Sequence, residues 1–395
     1  MSEVSTVAIS KRGVKRWRRG HPWIYKSDVK HIDANSGDVV RVQSDNGHVL
    51  GWAFYSGSSQ ITLRRVSRSK EPLEPGIWRE RILQAEQRRR QLGLRSRAAY
   101  RLLHGEADGF PATIIDRYGS VFVVQTLCAG SDRLLGEIVE VLQSEFSPEA
   151  IVERNDPKVR ELEGLERKKG LLYGTMPDEL VVSIGKCQVY VAPLLGQKTG
   201  AYLDQSETLN RSLHYARRAS KILDACCYQG WFANSVASVQ RKAEVIALDS
   251  SGNALDALLR NAQLNELDNV VPLEANLFDQ LRLFDREEKR FDLIFLDPPS
   301  FIKNRSAKES GLRGYKEVNL RALRLLEPGG ILISSSCSYH LDRPTFWNLM
   351  QEAAADQAID IQLLDIWGQG HDHPRLANFP ESDYLKTLVV QRLPF

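Results

Sequence analysis

The sequence lacks long apolar runs and is poor in cysteine, and both absences limit what the protein can be. No stretch of the 395 residues approaches the roughly 18 apolar residues of a membrane-spanning helix. The opening residues also lack a signal-peptide pattern. The five cysteines show no C-x-x-C spacing and no even framework for disulfides. These features predict a cytoplasmic protein without a membrane anchor, a metal-binding cysteine motif or a disulfide framework.

The sequence also lacks a strong overall charge, internal repeats and low-complexity tracts. A net charge of +3 is too small to indicate nucleic-acid binding by itself. The opening segment is locally basic, however, and only Glu3 and Asp28 oppose its cations. Its candidate phosphate-binding residues are Lys11, Lys15, Arg16, Arg18 and Arg19. A solvated basic face without a ligand is the alternative interpretation.

Residues 1–74 have the pattern of a small β-rich domain. Val39–Gln43 and Val49–Phe54 flank the turn Asp45-Asn46-Gly47, and Gln60–Val66 alternates again. Together with the preceding segment Gly20-His21-Pro22-Trp23-Ile24-Tyr25, this pattern resembles a PUA domain. The resemblance implies a compact β-barrel that binds RNA through its basic residues.

Residues 75–185 are predicted to form a central α+β domain. Its predicted elements are a helix over Ile77–Leu92, a hairpin over Thr113–Thr126, a helix over Asp132–Phe146 capped by Ser131, and a strand at Ile151–Glu153. Glu106 and Asp108 lie close together as a metal-binding or acid–base pair would. We favour a structural loop there, because glycines and a proline surround them.

Residues 186–395 change to an alternation of apolar strands and helical patterns. Predicted strands begin near residues 189, 220, 244, 270, 293 and 331, and a terminal hairpin spans 359–366 and 384–393. Alternation of this kind predicts a doubly wound parallel sheet with an added hairpin. The predicted fold class is therefore α/β.

Four consecutive strands of this region end in polar residues, namely Asp224, Asp249, Asn276 and Asp297. In open parallel sheets such ends face the crevice where ligands bind. The turn after Asp224 contains Gly230 followed by Trp231 and is not a G-x-G-x-x-G motif, so a dinucleotide is not expected. Asp249 suits ribose hydroxyls, and Asn276 suits an adenine edge.

The ordered set resembles the class I S-adenosylmethionine-dependent methyltransferases, which have a Rossmann-like domain. The resemblance implies S-adenosylmethionine as the cofactor. The implied cofactor-binding residues are Gln197, Lys198, Thr199, Gly200, Asp224, Cys226, Tyr228, Gly230, Asp249, Ser250, Asn276 and Asp297.

Cys337 lies at the end of the strand that follows Asp297. A thiol there can be a nucleophile, although a lone cysteine is more often a small core residue. The strings from Gln197 to Gln205, from Leu296 to Phe301 and from Ser336 to Ser338 resemble the RlmI/RlmO-type 23S ribosomal RNA cytosine-C5 methyltransferases. The likeness covers nearly the whole chain.

The resemblance implies 5-methylcytosine formation in large-subunit ribosomal RNA, with Cys337 adding to C6 of the base and Asp297 holding the base. The sequence does not identify the modified nucleotide, the base that removes the C5 proton or the oligomeric state, and a homodimer is left open. The chain departs from the family pattern at Ser206, where arginine is common, and near Cys227 and Trp231.

Three alternatives are left open. The Asp297-Pro298-Pro299 motif is also typical of enzymes that methylate adenine N6 or cytosine N4, although Ser300 separates the prolines from Phe301. Guanine methylation by a related domain is a second alternative. A non-catalytic RNA-binding protein of ribosome assembly is a third, because of Trp231. His371-Asp372-His373 lacks further ligands at metal-site spacing, and we interpret it as structural.

Overall fold

The computed structural model describes residues 4–395, apart from the side chains of Arg95 and Arg305. The first three residues of the predicted N-terminal domain lie outside the described residues. The chain forms two compact units. The first unit contains residues up to 182, 191–203 and 371–382, and the second contains 183–190, 204–370 and 383–395. The domain boundaries at 74 and 185 stay predictions.

The helices are α1 (Lys11–Arg18), α2 (Ile77–Gln91), α3 (Ala129–Arg133), α4 (Leu135–Phe146), α5 (Val159–Leu162), α6 (Ser206–Ala216), α7 (Trp231–Val239), α8 (Gly252–Leu264), α9 (Leu277–Arg286), α10 (Lys308–Arg324) and α11 (Arg343–Ala355). The strands are β1 (Thr6–Ile9), β2 (Trp23–Tyr25), β3 (Val29–Asp33), β4 (Val39–Ser44), β5 (Val49–Tyr55), β6 (Ile61–Ser67), β7 (Ala99–His104), β8 (Thr113–Tyr118), β9 (Val121–Thr126), β10 (Ala150–Asn155), β11 (Lys168–Gly174), β12 (Val181–Ile184), β13 (Cys187–Tyr190), β14 (Lys221–Ala225), β15 (Glu244–Asp249), β16 (Val270–Glu274), β17 (Phe291–Leu296), β18 (Leu326–Ser336), β19 (Ile361–Gly368) and β20 (Lys386–Arg392). No helix within residues 4–395 has the length and apolar character needed to cross a bilayer.

The first unit is built on two sheets. A six-stranded sheet has the order β2-β6-β5-β4-β1-β3, and a five-stranded sheet has the order β11-β10-β9-β8-β7. The alternating residues of β4 and β5 fill the first core together with Trp17 of α1. A second core joins the two sheets, because Phe54 of β5 stacks on Trp78 of α2, which in turn contacts Phe110.

The helix predicted over Asp132–Phe146 is confirmed from Leu135 to Phe146, but its predicted start and its predicted cap are wrong. The chain forms α3 and α4 instead, with Leu134 between them. The predicted cap Ser131 lies inside α3, and Cys128 is the N-cap. The Cys128 sulfur accepts from the Ser131 N–H at 3.5 Å, and the Ser131 hydroxyl accepts from the Cys128 N–H at 3.3 Å. This reciprocal pair places the N-cap three residues before the predicted cap.

Glu106 and Asp108 form structural ion pairs. Asp108 is buried and accepts from Arg89 at 2.7 Å and from Arg88 at 2.8 Å. Glu106 accepts from Arg64 at 3.2 Å and from the Trp23 indole at 2.7 Å. Both carboxylates are therefore occupied by arginines of the first unit, in agreement with a structural loop.

The second unit contains a seven-stranded sheet of order β16-β15-β14-β17-β18-β20-β19. The strands from β16 to β18 pair in parallel, and β20 is antiparallel to both β18 and β19. The predicted α/β fold with a parallel sheet and a terminal hairpin is confirmed, but the strand predicted near residue 189 is not in this sheet, because β13 pairs with β12 in a separate two-stranded sheet. α7 contacts β14 and β15, α8 contacts β15 and β16, and α10 contacts β17 and β18. The carboxyl ends of β14, β15, β16, β17 and β18 therefore meet at one edge of the sheet.

Candidate active site

The turn from β14 into α7 is the most strained backbone at this edge. Cys226, Tyr228 and Gly230 all have positive φ angles, of 66°, 49° and 76°. Left-handed conformations are costly for residues with a side chain and often mark functional sites. A Cβ atom on Gly230 would lie 2.4 Å from Cγ of Leu258. Glycine is thus required both by the backbone and by the close approach of α8, as the predicted tight turn implies.

Asp224 is the second-to-last residue of β14, and its carboxylate serves the start of α7. Its Oδ2 atom accepts from the Ala233 N–H at 2.9 Å, and only 1% of the residue is exposed. Burial raises the pKa of Asp224 and the Ala233 hydrogen bond lowers it, and with the added effect of the nearby carboxylates of Asp297 and Asp249 the pKa is about 8. The three acids are therefore brought together electrostatically, as predicted from their strand ends.

Asp249 and Asn276 each organise a turn. Asp249 accepts from the Tyr228 N–H at 2.9 Å and from the Ser251 N–H at 3.0 Å. Asn276 is exposed and caps α9 by accepting from the Phe278 N–H at 2.9 Å. Ser250 is exposed beside Asp249. The predicted contacts of these residues with ribose and adenine stay predictions, because their described bonds are to backbone groups.

Asp297 follows β17 and is half-buried. Its Oδ2 atom accepts from the Gln205 side-chain amide at 2.8 Å. Gln205 is buried, and its Oε1 atom has no hydrogen-bond partner among the described residues. The buried Nε1 atom of Trp231 likewise has no partner within this part of the chain. Unsatisfied polar atoms are costly unless a ligand or water completes them, so these two atoms fit a polar cofactor in the second unit.

Ser338 connects the segment after Asp297 with the segment after Cys337. Its hydroxyl bonds the Ser300 hydroxyl at 2.7 Å and the Tyr315 hydroxyl at 2.8 Å, and it accepts from the Ile302 N–H at 3.3 Å. One donor and two acceptors are all that a hydroxyl offers, so Ser338 is saturated. We call these contacts the Ser338 network. They fix the loop that carries Asp297 against the end of β18.

Cys337 differs from the other thiols of this edge by its exposure. It follows β18 and is exposed, whereas Cys226 is half-buried and Cys227 is buried. Burial, together with neighbouring carboxylates, raises the pKa of the thiols of Cys226 and Cys227. Because the thiolate is the reactive form, those two cysteines are poor nucleophiles. Leu296 of β17 pairs with Ser334 of β18, so Asp297 and Cys337 extend from the ends of adjacent strands.

The string from Gln197 to Gly200 belongs to the first unit. Thr199 is buried, donates to Asp116 at 2.5 Å and contacts the Tyr118 hydroxyl at 3.1 Å. The Lys198 ammonium lies 4.2 Å from the centre of the Tyr202 ring, and the Tyr202 hydroxyl donates to Gln197. Asp204 and Gln205, the last two residues of the family string, belong to the second unit. Cofactor contacts by residues 197–200 stay a prediction.

Four of the five predicted phosphate-binding residues line one groove. This groove, of about 570 Å³, lies between α1 and the β4–β5 turn. Its cations are Lys11, Lys15, Arg18 and Arg19, and we call them the basic face of α1. Arg16 does not line the groove. It is half-buried, lies 4.5 Å over the Tyr25 ring and faces Asp28 at 3.9 Å.

His371 and His373 are not part of a metal site in the described structure. The buried Asp372 contacts His373 Nδ1 at 3.0 Å and accepts from the Arg101 N–H at 2.9 Å. Burial pushes the pKa of Asp372 upward, but His373 and the Arg101 N–H outweigh it and hold the pKa below its usual value. No group of three or more potential ligands within residues 4–395 could hold a metal ion.

Four residues next to the predicted site residues were not predicted from the sequence, namely Gln205, Ser300, Ser338 and Lys386. Gln205, Ser300 and Ser338 lie inside the three strings that resemble the methyltransferase family. Their hydrogen bonds could not be predicted, because they link residues that are distant along the chain. Lys386 has a weaker signal. A lone lysine before the apolar run Leu388-Val389-Val390 is unusual for a buried strand.

Two family models match the chain, a PUA-like domain over residues 7–68 and a methyltransferase domain over residues 216–378. The fold and the site therefore define a methyltransferase with an N-terminal PUA-like domain, and this domain type implies S-adenosylmethionine as the methyl donor. Ribosomal RNA large subunit methyltransferase I of Pseudoalteromonas atlantica is 36% identical over 381 residues, which cover 95% of this chain and 96% of the relative. The protein of the same name from Yersinia pseudotuberculosis is 36% identical over 386 residues, covering 96% and 97%. The chain belongs to the ribosomal RNA large subunit methyltransferase I family.

Solved structures agree with this fold. A putative methyltransferase in complex with SAH is 21% identical with a TM-score of 0.84, covering 98% of this chain and all of the other. A putative SAM-dependent methyltransferase from Streptococcus mutans is 20% identical with a TM-score of 0.83 over the same shares. At this identity the likeness concerns the fold alone.

Proposed function

We propose that the protein forms 5-methylcytosine in large-subunit (23S) ribosomal RNA through a covalent bond between Cys337 and C6 of the target base. The names of the relatives support the ribosomal RNA substrate. The observation that carries the cytosine-C5 assignment is the exposed thiol of Cys337 at the strand end next to Asp297, with the Ser338 network between the two segments.

The chemistry needs a nucleophile because C5 of cytosine is itself unreactive. The Cys337 thiolate adds to C6, a C–S bond forms, and the C5=C6 π electrons become available at C5. When bound, S-adenosylmethionine supplies the methyl group that C5 takes up. A base then removes the C5 proton, the double bond returns and the Cys337 thiolate leaves.

Asp297 orients the cytosine in this proposal. Its carboxylate suits the exocyclic amine and the N3 side of the ring, and it stabilises the charge of the adduct. The amide of Gln205 fixes the rotamer of Asp297 by donating to Oδ2. Gln205 is therefore a positioning residue.

The residues that would hold the cofactor are those of the strand ends and the β14–α7 turn. They are Asp224, Cys226, Tyr228, Gly230, Asp249, Ser250 and Asn276, with Gln197, Lys198, Thr199 and Gly200 from the family string. The unpartnered polar atoms of Gln205 and Trp231 support a polar ligand in the second unit.

Cytosine must leave its stack before C6 can be reached, so the target is single-stranded or flipped. The basic face of α1 supplies phosphate contacts that hold the RNA without reading its sequence.

The decisive test is the replacement of Cys337 by alanine. We expect methyl transfer to large-subunit ribosomal RNA to be lost while calorimetry still detects S-adenosylmethionine binding. Cys187→Ala is the matched control, because Cys187 is a buried thiol of β13 that has no part in the chemistry. Unchanged transfer by Cys337→Ala would refute the C5 mechanism and favour methylation of an amino group.

Two further measurements separate the alternatives. RNA that contains 5-fluorocytosine should form a denaturant-resistant complex with the wild-type protein and none with Cys337→Ala. A protein that fails to bind S-adenosylmethionine at millimolar concentration would be a non-catalytic RNA-binding protein. Mapping 5-methylcytosine in ribosomal RNA from a strain without the protein identifies the target nucleotide.

A further inference from the structure

Lys386 is a buried cation beside the exposed nucleophile. It is the first residue of β20, in the interior of the seven-stranded sheet, and only 2% of it is exposed. Its partner across the ladder is Ser336 of β18, which immediately precedes Cys337. A lysine in this position is costly, since an ammonium group loses its hydration there and lysine is almost never fully buried without a partner.

The ammonium is held by backbone carbonyls. Lys386 Nζ donates to the Ser338 carbonyl at 2.6 Å and to the Tyr384 carbonyl at 2.7 Å. These bonds direct it to the loop that carries Cys337, because Ser338 is the next residue. Within residues 4–395, no carboxylate forms an ion pair with Lys386.

The other charged groups around Lys386 are already engaged. Asp383 binds Arg343 at 3.0 Å, and Asp342 caps α11 by accepting from the Thr345 N–H at 2.8 Å. Arg343 itself is a second cation near the ammonium. Asp383 and Asp342 attract the ammonium without forming an ion pair with it, and Cys337 is a further neighbour that can become an anion.

We propose that Lys386 is the positioning residue that supplies the charge partner of the Cys337 thiolate. The step moves one proton. A thiol beside a neutral amine becomes a thiolate beside an ammonium when the proton moves from the Cys337 sulfur to the Lys386 nitrogen, and the thiolate is the nucleophile. This inference rests on the proposed function for its use in methyl transfer.

The electrostatics agree with this arrangement. Burial lowers the pKa of Lys386 to about 8, and Cys337 is the largest influence that opposes the lowering, followed by Asp383, whereas Arg343 adds to it. An amine that titrates near neutral pH can exchange a proton with a thiol, which a lysine in water does less readily.

The test measures the reactivity of Cys337 rather than methyl transfer alone. Iodoacetamide alkylation of Cys337, followed by peptide mass spectrometry across a pH series, gives the midpoint at which the thiol becomes reactive. In Lys386→Met we expect the midpoint to rise by about 1 to 2 pH units and alkylation at neutral pH to slow by roughly tenfold. Methyl transfer by this variant should recover as the pH is raised, which a purely structural defect would not produce.

Lys221→Met is the matched control. Lys221 is an exposed lysine at the amino end of β14 in the same sheet, at the edge opposite the strand ends that carry the site. Its variant should keep the wild-type midpoint. An unchanged midpoint in a folded Lys386→Met protein would overturn the inference.

A measurement on the wild-type protein keeps the inference falsifiable if Lys386→Met does not fold. The absorbance of thiolate near 240 nm, as the difference between wild type and Cys337→Ser over pH, reports the ionisation of Cys337 directly. A midpoint at or above that of a free thiol, about 8.5, would overturn the inference. Neither readout depends on methyl transfer, so failure of the proposed function and failure of the inference are distinguishable.

Discussion

Replacing Ser338 by alanine tests whether the Ser338 network holds the site together. The hydroxyl makes three bonds, to Ser300, Tyr315 and the Ile302 N–H, at 2.7, 2.8 and 3.3 Å. Ser338 and Tyr315 are fully buried, and Ile302 is 2% exposed. Each bond contributes about 0.5 to 1.5 kcal/mol net, and a buried group left without a partner costs about 1 to 3 kcal/mol.

The expected loss in free energy of unfolding is therefore about 2 to 4 kcal/mol for Ser338→Ala. Ser335→Ala is the matched control, at a residue of β18 three positions before Ser338. The Ser335 hydroxyl is also buried, but within the described residues it contacts one side chain, the Thr387 hydroxyl at 2.8 Å, so we expect a loss of about 1 kcal/mol. Urea unfolding followed by circular dichroism measures both variants under one condition.

The comparison also predicts an effect on catalysis. Ser338→Ala should lower kcat, because the loop after Asp297 is no longer tied to the end of β18, whereas Ser335→Ala should retain it. Equal destabilisation of the two variants, within about 0.5 kcal/mol, would contradict the reasoning that the network is a shared support.

Three further predictions follow from the site and the groove. Gly230→Ala should destabilise the protein by about 2 to 4 kcal/mol in thermal unfolding. Adding Leu258→Ala should recover the part of this loss that comes from the clash with the Leu258 side chain. No recovery would show that the loss has another cause. The raised pKa of Asp224, about 8 when folded against 3.8 for the free group, means that the folded state binds a proton more tightly than the unfolded chain. The free energy of unfolding should thus fall by up to the order of 5 kcal/mol as the pH rises from about 4 to 8. Asp224→Asn should flatten this pH dependence in Tm measurements. An unchanged pH dependence would refute the raised pKa of Asp224. Replacing the four cations of the basic face of α1 by glutamine should weaken RNA binding for every RNA sequence. The slope of log affinity against log salt concentration, measured by fluorescence anisotropy, should fall by about 3. An unaltered slope would exclude the groove as the site of phosphate contact.

The sheet of the second unit could be predicted because its signals are local. The run Leu293–Leu296 is buried on both faces and ends at two prolines, so the strand, its end and the position of Asp297 all follow from a few residues. The order of the polar strand ends also predicts that these residues share one edge of the sheet, which the parallel pairing of the strands confirms. α7 and β16 begin and end at the predicted residues for the same reason.

Other features depend on contacts that no local pattern contains. α10 begins at Lys308, seven residues before the predicted Tyr315. Its first turns were not predicted, because they are polar and lack the apolar periodicity of a helix. The division into α3 and α4 depends on the pairing of Cys128 with Ser131. The roles of Ser338 and Gln205 come from bonds to residues 38 and 92 positions away. Lys386 is informative only once β20 is known to pair with β18.

The position of β20 between β18 and β19 has a consequence for synthesis of the chain. β18 carries the segment leading to Cys337, but its free edge is covered only when residues 386–392 have been translated and have paired with it. A nascent or prematurely ended chain exposes this edge as a template for pairing with other chains. Such chains should therefore aggregate or be degraded, so that Cys337 and the Lys386 ammonium come together in finished molecules only.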